Sequence, residues 1–338
     1  MNYFHDKMRS FQDHRERAAE MTIPRVEGLR KRCVELTTAF AAALVSVCAV
    51  PMTADSSEAT PELEASASVG DYTFRIYDIR CGMIGWRISL EDRLVIEQAG
   101  RIVDELEEQH IYVGPRALPF WDRVPPIPLG KDMTGDGEPN VLVATYSGGA
   151  HCCYSYHIYS VGKTFRKVQE FHTGDSPMNF SNLDDDPALE AQHYDFNFAY
   201  WKTSFASSPA PRVALKYRDG KYRFAPELMR RSAISEETLR REAQALRNSE
   251  YWGSIDVYPY DFRLWDIMLE LIYTGHYARA WQFLDEGWPP DFPGKEEFRY
   301  EFFDCQLRRS DYWPGVAAMN GIPADPPLPD CPPCPECG

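Results

Sequence analysis

Asp132, Thr134, Asp136, Glu138 and Asn140 set an oxygen at every second position around Gly135 and Gly137, and the tract runs directly into Val141-Leu142-Val143. Alternating oxygens bent by glycine converge on a point. A hard cation such as calcium takes about six to eight of them. The side chains of Asp132, Thr134, Asp136 and Asn140, with the Glu138 carbonyl, are therefore the expected ligands of one calcium ion. Only two of them carry a formal charge, which predicts affinity in the weak range of extracellular modules, about 0.1–1 mM. Fifty positions on, Asn182, Asp184, Asp186 and Glu190 repeat the alternation ahead of another strand-like run, with Pro187 where the first loop has Gly137. This is read either as a second calcium loop of an internal repeat or as a solvated acidic turn.

Other residue sets invite different chemistry. In Ser147-Gly-Gly-Ala-His151-Cys152-Cys153, the histidine beside two thiols suggests a nucleophile and its base. On a strand, however, His151 and Cys152 point to opposite faces, so a structural role for the cysteines is preferred, with Cys81 bonded to Cys152 or Cys153. His151, His157 and His193 lack the tight spacing of a zinc motif. The tail Cys331-Pro-Pro-Cys334-Pro-Glu-Cys337 holds two overlapping Cys-x-x-Cys units. Disulfides, or a zinc site completed by Cys305, suit it better than redox catalysis, which needs a helix N-terminus to stabilise the thiolate. No Gly-x-Ser-x-Gly, His-Glu-x-x-His or phosphate-cradling loop is present.

The setting is an acidic chain of 338 residues with formal charge −15, 44% hydrophobic and 13% aromatic. It lacks the basic face that phosphate contacts require, which argues against nucleic acid as a partner. Arg30-Lys31-Arg32 followed by the apolar run Leu36–Val50 reads as an export signal too short to span a bilayer. Met21 is an alternative start, and Cys48 is an alternative lipid-anchored residue that would bring membrane contact. The expected location is outside the cytoplasm: periplasm, cell surface or medium.

The elements that must position these residues are read from periodicity. Alternation of period two predicts strands at Tyr72–Ile79, Trp86–Leu90, Val141–Tyr146, Tyr154–Ser160, His193–Trp201 and Val213–Tyr217. In the fifth, aromatics occupy every even position and are assigned to the core. Helical spacing begins behind the capping residue Ser235 and continues through Asp261–Gly275, Tyr277–Leu284 and Glu296–Leu307. The fold class is α+β: a small, mainly antiparallel β-domain, sandwich or partial propeller, followed by an α-helical region. The divisions are a leader at 1–49, a flexible spacer at 50–69, the β-domain at 70–231, the helical domain at 232–320 and a Pro/Cys-rich tail at 321–338.

Asp132, Asp136, Gly137 and Asn140 ahead of Val141–Val143 resemble the loop of FG-GAP or VCBS repeats, the strand-loop-strand calcium units of integrin α-subunit heads and many exported bacterial proteins. Thr134 departs from that pattern, where an acid is usual. The twelfth position, Val143, excludes an EF-hand, which needs a bidentate Glu there. The resemblance covers roughly residues 126–230 and implies calcium as the cofactor of repeated β-units, about three of which fit between Tyr72 and Arg230. Leu271–Ala278 is similar to one helical hairpin of tetratricopeptide-like proteins. Together these readings predict an exported, non-catalytic calcium-binding protein that presents a surface to protein or glycan. The alternative is a cell-envelope hydrolase using Asp184 and His151.

Overall fold

The computed structural model describes residues 61–84, 87–115, 126–149, 153–254 and 259–323, and the side chains of these apart from 79–91. Of the described residues, Pro61–Arg80 and Ser89–Pro323 belong to one compact unit and Cys81–Ile88 to another. The described strands gather into three four-stranded sheets, each in chain order. The first contains β1 (Glu62–Val69), β2 (Tyr72–Ile84), β3 (Arg87–Gln98) and β4 (Arg101–Glu108). The second contains β5 (Ile111–Val113), β6 (Asn140–Tyr146), β7 (Tyr154–Val161) and β8 (Phe165–Gly174). The third contains β9 (Asn179–Ser181), β10 (Glu190–Tyr194), β11 (Arg212–Arg218) and β12 (Lys221–Phe224). The β11–β12 connection is Asp219-Gly220 with both residues at positive φ, the backbone that a two-residue hairpin turn requires.

The central strands β6 and β7 of the second sheet are buried on both faces. Val141 and Val143 of β6, with Tyr159 and Val161 of β7, join Tyr72, Phe74, Leu94 and Ile96 in one core. Their sequence neighbours Ala144, Tyr156 and Ile158 point the opposite way, into a second core with Phe180, Ala191, Val213 and Leu215. That second core continues into six helices: α1 (Pro226–Met229), α2 (Glu236–Arg247), α3 (Arg263–Tyr273), α4 (Tyr277–Gly287), α5 (Lys295–Tyr300) and α6 (Trp313–Met319). Ser235 caps α2 as its sequence predicts, accepting the Thr238 N–H at 3.1 Å. A π-helical stretch, Glu301–Gln306, follows α5 without a break.

The α+β layout and antiparallel meanders agree with expectation, and no closed propeller forms among the described residues. Three differences have physical causes. Strand β1 occupies the end of the tract read as a spacer, because Ala65, Ala67 and Val69 present a small apolar face to the first core. The strand read over His193–Trp201 ends at Tyr194. There the Asp195 carboxylate accepts the Asn197 N–H at 3.0 Å, an Asx turn that breaks the extended backbone, and Phe198 and Trp201 then pack edge to face three residues apart. The boundary at 231 marks a change of secondary structure only, since one core runs across it. No helix among the described residues is long and apolar enough to cross a membrane. The leader, Cys48, His151, Cys152 and the tail cysteines lie outside the described residues.

Candidate functional site

In the first loop the oxygens expected to meet a cation are engaged with the loop's own backbone. Asp132 accepts the N–H groups of Thr134, Gly135 and Gly137 at 3.1, 2.7 and 2.8 Å. Asp136 accepts the Glu138 N–H at 3.0 Å and faces Arg166 at 3.3 Å. Asn140, fully buried, accepts the Met133 N–H at 2.7 Å. The Glu138 side chain turns away to the Lys163 N–H, at 3.0 Å. Charge-assisted bonds of this kind hold the loop in shape by themselves.

The second loop repeats this wiring at a constant offset of fifty residues. Glu190 accepts the Leu183 N–H at 2.7 Å where Asn140 accepts that of Met133. Asp186 accepts the Ala188 N–H at 2.9 Å where Asp136 accepts that of Glu138. Asp184 accepts the Asp186 N–H at 3.2 Å, and Asn182 donates to the Asp186 carbonyl at 2.5 Å. Both loops end on a buried side chain that opens a strand, β6 or β10. The two are also joined: the Leu189 N–H and the Tyr222 hydroxyl both donate to the Met133 carbonyl, at 2.9 and 3.1 Å.

The loops differ in charge. Carboxylate oxygens of Asp184, Asp186 and Glu190 lie within 4.8 Å of one another, the one group of His, Cys, Asp or Glu with metal-ligand geometry among the described residues. Lys216 of β11 reaches into this group, ion-paired with Asp184 and, at 2.6 Å, with Asp186. Its hydrogen bond holds the Asp184 carboxyl below the usual carboxylate range. Glu190 behaves in the opposite way: burial, reinforced by the Asp184 and Asp186 charges, raises its pKa. Its Oε1 is buried and makes no hydrogen bond among the described residues. Thus three carboxylates face one ammonium, and an acceptor aimed inward has no partner. Lys216 has no local sequence signal, being 32 residues from Asp184 along the chain. Only the fold brings them together.

His157 and His193 fall on separate strands, β7 and β10, and belong to no metal-ligand group among the described residues. Cys153 and Cys305 are each disulfide-bonded, which removes Cys305 as a zinc thiolate. Sequence reading did not single out a polar cluster beneath the helices. There Asp195 accepts hydrogen bonds from the Tyr273 and Ser310 hydroxyls, both at 2.5 Å. His193 lies beside it, with Nδ1 3.1 Å from the Tyr194 carbonyl and Nε2 2.6 Å from the Tyr312 hydroxyl. A carbonyl only accepts, so the neutral ring carries its proton on Nδ1 and accepts a hydrogen bond from the Tyr312 hydroxyl at Nε2.

Burial pulls both histidines down to about 4, against the opposing pull of Glu170 on His157 and of Asp195 on His193. With folded pKa values below the ordinary value of about 6.5, the unfolded chain takes up the protons first. Stability carried by these neutral rings is therefore intact above about pH 6.5 and declines as pH falls toward 4, by roughly 1.4 kcal/mol per pH unit for each histidine. Urea midpoints at pH 7, 6 and 5 are expected to fall in that order. A midpoint that is flat or rising between pH 6.5 and 5 would contradict this reading.

Comparison with known proteins found no matching family model, curated protein or solved structure.

Proposed function

We propose that the protein is a non-catalytic binding module that works outside the cytoplasm, with a β-sheet body braced by calcium at the second loop and a surface offered to protein or glycan. The observation that carries this reading is the convergence of Asp184, Asp186 and Glu190, with the buried Glu190 Oε1 unpartnered. Three carboxylates less one ammonium leave two negative charges, a match for a divalent cation. The first loop is the weaker candidate, since it forms no comparable group of three carboxylates and its Asp136 faces Arg166. A hydrolase reading has less support: Asp184 is held ionised by Lys216, the reverse of what a general acid needs.

An affinity of about 0.1–1 mM suits millimolar calcium outside the cell and would add only about 0.4–1.4 kcal/mol at 1 mM. Titration calorimetry and thermal melts with calcium test the reading. Glu190→Gln is expected to abolish uptake, Asp136→Ala to leave most of it, and Lys216→Met to tighten it by removing the competing charge. In Lys216→Met the calcium-free melting temperature should fall and calcium should restore it. The absence of uptake at millimolar calcium in both wild type and Lys216→Met would overturn the assignment.

A further inference from the structure

Between α4, α5 and the π-helical stretch lies a groove of ≈ 450 Å³ lined by Tyr277, Trp281, Glu296, Arg299, Tyr300 and Phe303, with Asp304 at its edge. Its walls are aromatic rings at differing tilts. Tyr277 meets Trp281 edge to face at 5.6 Å, Phe303 stands 6.0 Å from each, and the Arg299 guanidinium lies 4.9 Å over the Trp281 ring. A groove lined by half-buried aromatics is the kind of surface that receives a polyproline II helix, whose backbone has no internal hydrogen bonds to protect and little entropy left to lose.

The chain holds a segment of matching form. Pro323, Pro326, Pro329, Pro332 and Pro335 recur at every third position, and so do Leu328, Cys331, Cys334 and Cys337. A polyproline II helix turns once in about three residues. That period puts the five prolines along one edge and the leucine with the three cysteines along the next. The segment also leaves the fold at the groove: the Asn320 side chain accepts the Tyr277 N–H at 2.9 Å, and Ile322 packs against the core. Residues 324–338 extended in this form reach about 46 Å at ~3.1 Å per residue, ample to run along the groove and turn back. Cys305, which follows directly on the lining residues Phe303 and Asp304, is disulfide-bonded.

We propose that the occupant of this groove is the chain's own tail, with prolines of the 326–335 series laid along Tyr277, Trp281 and Phe303 and one of Cys331, Cys334 or Cys337 joined to Cys305. The proposal is independent of calcium and of the partner that the β-sheets meet.

The test uses the full chain. Non-reducing peptide mapping is expected to find Cys305 linked to a tail cysteine. Hydrogen exchange is then compared between the wild type and the triple variant Pro326→Ser, Pro329→Ser, Pro332→Ser, which leaves the sequence of residues 1–325 unchanged. Amides of Tyr277–Gly287 and Arg299–Phe303 are expected to exchange severalfold faster in the variant, while those of β6 and β7 stay unchanged. A synthetic peptide of residues 322–338 with its cysteines replaced by serine should bind the variant and not the wild type. A bond from Cys305 to any cysteine outside the tail, or unchanged exchange in the variant, would overturn the proposal. So would equal peptide binding to both proteins, which would make the groove an open site for a separate proline-rich partner.

Discussion

Asp195→Ala is expected to cost about 3–5 kcal/mol, because each buried polar group left without its partner costs about 1–3 kcal/mol. The groups left without an acceptor would be the Ser310 hydroxyl and the Asn197 N–H, while the Tyr273 hydroxyl would retain only Ser310 Oγ, at 3.1 Å. Tyr273 is fully buried, and burial, together with the Asp195 charge, holds its hydroxyl well above its ordinary pKa, so it remains a donor throughout the accessible pH range. The cluster ties the end of β10 to α3 and to the turn before α6, and its loss should loosen the helices from the third sheet. Asp195→Asn keeps an acceptor toward Asn197 and the shape of the side chain, so it should recover a substantial part of the loss. Chemical denaturation of the two variants provides the check. Equal destabilisation by Ala and Asn would assign the loss to the charge, and no destabilisation by either would remove the cluster from any role in stability.

Gly135→Ala carries the second large effect. Gly135 has φ +73°, and a Cβ there would lie 2.9 Å from the Ala188 nitrogen and 3.2 Å from the Pro187 carbonyl carbon, both backbone atoms of the facing loop. Left-handed backbone costs a side-chain-bearing residue about 1–2 kcal/mol. Displacing the second loop adds to that, for a total of roughly 3 kcal/mol. Gly137 is the matched control: its φ is +81°, and a Cβ there would meet nothing within 4 Å. Gly137→Ala should therefore show the backbone cost alone. The difference between the two midpoints measures how firmly the loops are joined, and equal midpoints would mean that the junction yields freely.

The sequence made parts of this architecture legible because the determinants were local. Oxygen alternation marked both loops, alternating apolar residues marked β6, β7 and β11, and Ser235 followed by two acids marked the start of α2. What escaped was set by distant partners. Strand β4 carries charge along its length and is stabilised by pairing with β3, where Arg93 meets Glu105 at 2.7 Å. The aromatic alternation over His193–Tyr200 had a strand's period, but one carboxylate bonded to one N–H turned the chain at Asp195. At the candidate site the acids were visible and their counter-ion was not, since Lys216 looks like an ordinary strand lysine until β11 pairs with β10. Both loops engage their own backbone, and the one with proline also gathers three carboxylates.

The second sheet is a party wall. Its odd-numbered residues in β6 and β7 furnish one room and its even-numbered residues the other, so each strand is read in two frames at once. Deleting or inserting a single residue within either strand would exchange the two sets and send Tyr156 and Tyr159 into each other's surroundings, spoiling both interiors by one event. Strands with one face in water absorb such slips by exposing some apolar area, an escape that this wall lacks. Insertions and deletions are consequently expected to be tolerated only outside these two strands.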